Sequence, residues 1–323
     1  MNCPHCGSGA KKFGSFKNSN GIVQRYRCKY CDHTFNDLHA FNSIRLDDAK
    51  VVQIVHCLTE GCGIRATSRL TGCDKNTVLS VLRTVGEKCE KLHDQLVRNV
   101  AVDSLQLDEL WARVGIRQQR TTPRDKLRGD FYTFLAFARD SKLIVSHFTG
   151  KRDAVSTDFF VHDLAARIKD RAQITTDAYA AYRDTVLRYF NGRSDYSILQ
   201  KVYATPLQAS VDAMDPIRRY SAPVCIGVKV YIISGEPDVD RICTSHIERC
   251  NLSVRHFTKR FARLGLGWSR KLNNHRAAVA LFVVSYNFCK RHTSLGTSPA
   301  VRSKLTDHVW TVAELVERLS ATV

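Results

Sequence analysis

The chain has 323 residues, and its net charge of +18 stands out beside ordinary hydrophobic and charged fractions of 44% and 25%. This excess indicates a polyanionic partner, and nucleic acid fits better than a membrane because the most apolar stretch, residues 277–289, is too short to span a bilayer. The first residues contain no apolar signal core, so we expect a cytoplasmic, nucleoid-associated protein. Its twelve cysteines are then expected to be metal ligands or buried thiols rather than disulfides.

Four cysteines near the N-terminus form two C-x-x-C pairs. Cys3 and Cys6 are separated by 21 residues from Cys28 and Cys31. Zn²⁺ prefers four thiolates in a tetrahedron, and each pair supplies two sulfurs from one tight turn. A segment this small has little core, so the metal would supply its folding energy. We therefore predict a structural zinc ribbon over residues 1–40, with free or redox-active thiols as the alternative.

Residues 41–100 are predicted to form a helix-turn-helix domain. Two helices over 64–83 are joined at Gly72, and Asp74 is a candidate N-cap for the second helix. The start of a recognition helix meets the bases of the major groove. Polar side chains at that position are predicted to contact DNA: Lys75, Asn76, Thr77, Ser80 and Arg83. The alternative is an ordinary helical hairpin.

From residue 101 onward, alternation of apolar and polar residues predicts strands. The predicted order is three strands, a helix, a strand, a helix, a strand and then two closing helices, with an insertion at 205–240 that contains one strand near 225–233. This is the order of a ribonuclease H-like domain, which we place at 101–292, ahead of a tail helix within 293–323. The fold class is therefore a multidomain α+β or α/β protein.

Three acidic residues lie on these predicted elements in a suggestive order. Asp108 falls within an apolar strand, Asp177 falls where a strand gives way to a helix, and Glu248 falls on a helix. A carboxylate in a central strand costs desolvation energy unless it is paired or binds metal. Three such groups can converge on divalent cations, and Mg²⁺ prefers oxygen ligands. Alternatively, Asp108 is salt-bridged, its neighbour Glu109 is the functional acid, or Asp177 is only an N-cap.

Glu248 is the only acid of residues 243–263, which belong to a strongly basic part of the chain. Residues 241–310 contain thirteen lysines and arginines against two acids. Arg255 follows Glu248 by two helical turns, so both side chains lie on the same helix face. We expect Arg249, Arg255 and Lys259 to face DNA.

Three segments of the chain resemble those of a known family. "LDELWARVG", "TTDAYAAY" and "SHIERCNLSVRHFTKRFARLGLGWSRKLNNHRAAVALFVVSYNFCKRH" look like the three catalytic blocks of DDE transposases of the insertion-sequence-one type. The resemblance implies that Asp108, Asp177 and Glu248 bind Mg²⁺ or Mn²⁺ at the catalytic site. It also implies hydrolysis at transposon ends and strand transfer into target DNA, by a homodimer or higher oligomer on double-stranded DNA. The proline-containing insertion at 205–240 departs from the family pattern.

Two other functions are compatible with parts of the sequence. A tyrosine recombinase would use His246 and Arg249 to bind phosphate and Tyr286 as the nucleophile, but the chain has no convincing upstream arginine block. A DNA-binding regulator would retain the ribbon and the helix-turn-helix beside a nuclease-like domain without activity. The transposase is the hypothesis that accounts for all three acids.

Overall fold

The computed structural model describes residues 3, 6, 8–18, 21–36, 46–204, 224–262 and 265–321. The chain divides into two compact units. The first comprises Met1–Leu96, His256–Ser298 and His308–Val323, and the second comprises Val97–Arg255 and Pro299–Asp307. Both units are discontinuous, whereas the domains predicted above are continuous, and their boundaries stay predictions.

The secondary structure follows the predicted order of strands and helices. In the described residues the strands are β1 (Ala10–Asn18), β2 (Gly21–Cys28), β3 (Thr34–Asn36), β4 (Ser104–Val114), β5 (Gly129–Ala138), β6 (Ile144–Gly150), β7 (Ala172–Thr176), β8 (Ser194–Tyr203) and β9 (Cys225–Ser234). The α-helices are α1 (Asp48–Thr59), α2 (Ile64–Thr71), α3 (Lys75–Leu96), α4 (Ala154–Arg167), α5 (Ala180–Phe190), α6 (Ser245–Phe257), α7 (Leu272–Val284), α8 (Pro299–Arg302) and α9 (Val312–Ala321).

The N-terminal segment forms a three-stranded antiparallel sheet in the order β1-β2-β3. Tyr26 of β2 pairs with Phe35 of β3, and their rings stack with centroids 5.9 Å apart. Among the described side chains of residues 3–36, those of Cys3 and Cys28 alone are buried. The described side chains of these strands therefore form no apolar core that could hold the sheet together by itself.

The first unit continues with helices whose ends are set by local sequence. The Asp47 carboxylate accepts a hydrogen bond from the Lys50 amide and caps α1. Gly72 ends α2 with a φ of +70°, a left-handed conformation that glycine adopts without steric cost. The Asp74 carboxylate accepts from the Asn76 amide at 2.8 Å and caps α3, as predicted.

Helices α3 and α7 approach each other closely within the first unit. A Cβ added at Gly86 would lie 2.5 Å from the Cα and Cβ of Ala277, so only glycine fits there. Helix α7 is buried from Ala277 to Val284, which explains why its sequence is apolar on all sides. It continues through a π-helical turn, Ser285–Cys289, where Phe288 stacks on Trp310 at 4.3 Å.

The second unit is built around a mixed six-stranded sheet in the order β6-β5-β4-β7-β8-β9. Strand β4 pairs antiparallel with β5 and parallel with β7, which places it in the interior of the sheet. Strand β7 is buried at all five positions and lies parallel to β8. Helix α4 packs against β5, β6 and α5. Because β7 runs parallel to Ser104–Leu107 of β4, the residue that follows β7 lies beside the middle of β4.

Part of the predicted insertion belongs to this sheet. Strand β9 pairs antiparallel with β8 and forms one edge of it, so the strand expected near 225–233 is confirmed. Residues 205–223 of the insertion lie outside the described residues.

No helix in the described part of the chain is long and apolar enough to cross a membrane.

Candidate active site

Strand β4 carries two adjacent acids in the middle of the sheet. Successive strand residues point to opposite faces. Gln106 and Asp108 hydrogen-bond to residues of α6 or just before it, whereas Glu109 accepts from the buried Tyr182 hydroxyl of α5 at 3.0 Å. Helices α5 and α6 therefore meet β4 from opposite faces of the sheet.

A third acid joins them from the end of β7. Asp177 directly follows this strand, and its carboxylate accepts the Tyr179 amide at 3.0 Å. Asp108, Glu109 and Asp177 each place a carboxylate oxygen within 4.8 Å of the others. The predicted pair Asp108 and Asp177 is thus brought together, along with Glu109. Asp177 also tightens the turn before α5 through this bond, but the N-cap of α5 is Tyr179, so the N-cap alternative for Asp177 is wrong.

Little positive charge offsets the negative charge of these three carboxylates. Burial raises the pKa of Asp108 to about 7, and the charges of Glu109, Asp177 and Glu248 add to the effect. Burial also raises the pKa of Glu109, again with a contribution from Asp177. Three carboxylates held this close favour retention of a proton or capture of a cation.

Arg152, shortly after β6, supplies positive charge beside the cluster. Its Nε lies 2.6 Å from Glu109 Oε1, and its Nη2 lies 3.9 Å from Asp177 Oδ2. The guanidinium also lies over the Tyr179 ring, 4.2 Å from its centroid. Burial alone would lower the pKa of Arg152, but the hydrogen bond to Glu109 outweighs it and raises that pKa. Sequence reasoning missed this residue, because nothing local in "GKRDAVST" ties it to Glu109.

Glu248 lies on the first turn of α6, outside the group of three converging carboxylates. Its Oε1 accepts hydrogen bonds from the Lys201 ammonium of β8 and from Thr244 Oγ1, the latter at 2.7 Å. Burial would lower the pKa of Lys201, but the bond to Glu248 outweighs it and raises that pKa. The structure therefore places Glu248 in an ion pair with Lys201, and its metal role stays a prediction.

Asn251, one turn after Glu248, connects α6 to the acidic cluster. Its Nδ2 donates to Asp108 Oδ2 at 2.6 Å. Its Oδ1 is buried without a hydrogen-bond partner among the described residues. The sequence contained a signal for this residue, because a side chain three positions after Glu248 lies on the same helix face.

The three acids fit a divalent cation. They offer hard oxygen donors close together, burial and neighbouring carboxylates raise the pKa of Asp108 and of Glu109, and an orphaned amide oxygen lies on the residue that contacts Asp108. Asp108, Glu109 and Asp177 are the described residues that could hold Mg²⁺ or Mn²⁺.

The predicted zinc ligands also converge. Cys3, Cys6, Cys28 and Cys31 place their sulfurs within 4.8 Å of one another. Two pairs, Cys3 with Cys31 and Cys6 with Cys28, have Sγ–Sγ distances of 3.7 and 3.4 Å. These distances are close to the separation of about 3.8 Å that Zn–S bonds of ~2.3 Å give in a tetrahedron. The amides of Tyr30 and Cys31 point at Cys28 Sγ, so the four thiols fit a Zn²⁺ ion.

The predicted DNA-contacting residues of α3 lie at its N-terminal end. Lys75, Asn76 and Arg83 are exposed, and Thr77 and Ser80 are half-buried, whereas Val78 and Leu82 on the other face are buried. In the basic stretch of residues 241–310, Arg249 and Lys259 are exposed and Arg255 is half-buried. These positions leave the residues accessible, and their contact with DNA stays a prediction.

The residues of the recombinase alternative have other surroundings. His246 Nδ1 lies 3.1 Å from the Lys142 ammonium, and burial, with Lys142 and Arg139, lowers the pKa of His246. Tyr286 is only 5% exposed and packs against the rings of Phe282 and His292. A buried phenol is poorly placed to attack DNA.

No protein-family model matches the chain, and no curated protein matches it. Similar solved structures include the cryo-EM structure of the piggyBac transposase synaptic complex with hairpin DNA, at 10% identity and a TM-score of 0.39, covering 84% of this chain and 69% of that chain. The crystal structure of the Mos1 strand transfer complex is similar at 13% identity and a TM-score of 0.20, covering 75% and 78%. Similarities this low assign no residue role here.

Proposed function

We propose that this protein is a DNA transposase that binds transposon ends and carries out metal-dependent cleavage and strand transfer. The observation that carries the proposal is the convergence of Asp108, Glu109 and Asp177 within 4.8 Å at the centre of a mixed sheet. The strand and helix order around that sheet supports a ribonuclease H-like catalytic domain. The resemblance to the insertion-sequence-one type rests on the three sequence blocks alone.

Asp108 and Asp177 are the proposed metal-binding carboxylates, with Glu109 beside them and Glu248 as the third member of the triad. Bound Mg²⁺ or Mn²⁺ supplies the charge that activates the attacking oxygen and stabilises the leaving oxygen in phosphodiester hydrolysis and strand transfer. The chain itself orients the ligands. Asn251 fixes one oxygen of Asp108, and Tyr182 and Arg152 fix the two oxygens of Glu109.

Lys201 and Thr244 hold Glu248 in a defined position on α6. Because Lys201 already neutralises Glu248, we propose that Glu248 joins the metal site only when this ion pair opens. The exposed Arg249 on the same helix, together with Arg255, would bind the DNA backbone beside the acids.

The N-terminal half is proposed to recognise the transposon ends. The ribbon would be folded by Zn²⁺ on its four cysteines, and the start of α3 would enter the major groove with Lys75, Asn76 and Thr77 foremost. A homodimer or higher oligomer is proposed, since two ends have to be joined in one complex.

Cleavage of a labelled duplex tests the proposal. The duplexes are taken from the DNA that flanks the coding sequence and are incubated with and without Mg²⁺. Asp108→Ala, Asp177→Ala and Glu248→Gln are expected to abolish cleavage while DNA binding persists, and Tyr286→Phe is expected to cleave as wild type does. Glu109→Gln shows whether the fourth acid is also required.

Two outcomes would contradict the transposase proposal and identify another function instead. Metal-independent cleavage that leaves protein covalently joined to DNA, and that is lost with Tyr286→Phe, would identify a tyrosine recombinase. Specific binding of these duplexes by the wild-type protein without cleavage or strand transfer, under Mg²⁺ or Mn²⁺, would identify a DNA-binding regulator.

A further inference from the structure

A cavity of about 740 Å³ lies in the first unit, and none of the clustered acids lines it. It is lined by residues of α1, of α2 and of the turn between them, by α3, by the segment 257–260, by residues 266–268 and 270, and by α7. This volume falls in the range of ~300–1,000 Å³ that is typical of small-ligand sites. Neither the zinc ribbon nor the proposed catalytic chemistry uses it, whereas Lys75, Asn76 and Lys259 of its lining are also predicted DNA contacts.

The charged residues that line this cavity are all positive. They are Arg65, Lys75, Lys259, Arg260 and Arg270, and no described acid lines it. Lys75 and Asn76 stand on the first turn of α3, which the Asp74 carboxylate caps through the Asn76 amide. Charge complementarity therefore selects an anion.

Arg260 is the most unusual of these cations. Burial lowers its pKa to about 10, and no described carboxylate pairs with it. Its Nη1 donates instead to the Ser269 hydroxyl at 2.7 Å, and Ser269 Oγ lies 3.2 Å from Nδ1 of the buried His275. Burial, with the charges of Arg260 and Arg276, lowers the pKa of His275 to about 3, so the imidazole is neutral. Arg260 is half-buried, and its guanidinium contacts a neutral hydroxyl, so an anion in the cavity would compensate its charge.

The other lining residues favour a planar apolar group. Leu79 and Leu82 of α3, and Leu281 and Phe282 of α7, line the cavity along the two helices, and Trp268 lines it from the loop. An indole and aliphatic side chains provide the surface on which a nucleobase stacks. A Cβ at Gly267 would lie 2.6 Å from the Lys259 carbonyl oxygen, so the loop that carries Trp268 lies directly against the segment 257–260.

We propose that this cavity binds one deoxynucleotide with an unpaired base, its phosphate on Arg260, Lys259 and Lys75 and its base against the apolar helix faces and Trp268. The same chemistry is offered by a free deoxynucleoside monophosphate and by a nucleotide displaced from a DNA duplex. The inference rests on the proposed function only in taking DNA as the partner, and it does not depend on catalysis.

Fluorescence titration of the full-length protein tests this proposal. The first probe is 2-aminopurine deoxyribonucleoside 5′-monophosphate, and the second is a duplex with one unpaired 2-aminopurine nucleotide. Binding is expected to quench the fluorescence of at least one probe by stacking. Quenching of the free nucleotide alone identifies the free monophosphate as the ligand, and quenching within the duplex identifies a displaced nucleotide.

Two variants and a control accompany the titration. Arg260→Gln and Lys259→Glu are expected to weaken binding by about tenfold to a hundredfold, since each removes a charged partner of the phosphate. Lys259 is exposed, so its variant keeps the test valid if Arg260→Gln unfolds the protein. Lys91→Ala removes an exposed cation of α3 that does not line the cavity and is expected to bind as wild type does.

The proposal is overturned if neither probe is quenched, or if Lys259→Glu binds as tightly as wild type. Cleavage of the flanking duplexes is measured on the same preparations. Cleavage without quenching contradicts the nucleotide site and leaves the transposase proposal standing. Quenching without cleavage under any divalent cation supports the nucleotide site and contradicts the transposase proposal.

Discussion

At the scale of single residues, the acidic cluster is defined by what lies near each carboxylate. Asp108 is held by an amide, Glu109 by an arginine and a tyrosine, and Asp177 by the turn that follows β7. The nearby Glu248 is neutralised by Lys201. The acids thus differ in how much of their charge neighbouring groups of the chain compensate. The charge of Asp108 is compensated least.

The pH dependence of stability should report on Asp108. Its pKa is about 7 in the folded protein against an ordinary value of 3.8, so the folded state binds the proton more tightly than the unfolded state. The free energy of unfolding should therefore fall as the pH rises from about 4 to about 7, by a few kcal/mol at ~1.4 kcal/mol per pKa unit. Thermal unfolding of wild type and Asp108→Asn in Mg²⁺-free buffer from pH 5 to pH 8 measures this difference.

Asp108→Asn should show a much flatter profile than wild type, because the amide does not ionise. Mg²⁺ should raise the melting temperature of wild type more at pH 8 than at pH 5.5, since the metal binds the ionised carboxylate. Parallel pH profiles for the two proteins would show that Asp108 does not carry this proton.

Lys201 should set how much Mg²⁺ the reaction needs. Its ammonium occupies Glu248, so a cation has to compete with it for that carboxylate. Lys201→Met is expected to lower the Mg²⁺ concentration for half-maximal cleavage severalfold, and Lys201→Arg, which keeps the charge, is expected to resemble wild type. A higher Mg²⁺ requirement in Lys201→Met would instead show that the lysine assists the reaction directly.

At the scale of elements, the two units are stabilised in different ways. The helices of the first unit bury an apolar core around α3 and α7, and the six-stranded sheet of the second buries β7 completely. The ribbon β1–β3 has no comparable core in its described residues, so its stability should depend on four cysteines rather than on packing.

Loss of zinc should unfold the ribbon and leave the helices and the larger sheet intact. Cys28→Ser removes one of the four ligands, and we expect its zinc content to fall from about one ion per chain to near zero at micromolar protein. Amide hydrogen exchange should then increase over β1–β3 but not over α3 or β4. Cys89→Ser is the matched control, because Cys89 is a buried thiol of α3 outside the metal group. Retention of zinc by Cys28→Ser would exclude a four-cysteine site.

At the scale of the whole molecule, the net charge of +18 should appear in the salt dependence of DNA binding. Each phosphate contact contributes about 0.9 to the slope of log K against log salt concentration. Replacing Lys75 and Arg83 together by alanine should therefore reduce the slope by up to about two, measured by fluorescence anisotropy on a flanking duplex. Lys91→Ala, an exposed cation on the same helix, should leave the slope unchanged. An unaltered slope in the double variant would mean that the start of α3 does not contact the DNA backbone.

Much of this fold could be predicted because the relevant signals are local. Periodicity placed β4 to β8 and the helices between them, Gly72 and Asp74 marked the turn before α3, and the C-x-x-C spacing identified the sulfur ligands. Asp108 and Asp177 could be singled out for the same reason. An acid within an apolar strand, or directly after one, conflicts with its local surroundings and calls for a partner.

The sequence by itself therefore determined the order of elements, the two cysteine pairs and two of the clustered acids. Tertiary structure alone decided that Glu109 joins them, that Arg152 and Lys201 are their cations, and that Arg260 lies in a basic cavity beside α3. The physical reason is distance along the chain. Lys201 and Glu248 are 47 positions apart, and Glu109 and Arg152 are 43 apart. Such pairs meet only because strand pairing and helix packing bring them together, and no local propensity encodes those contacts.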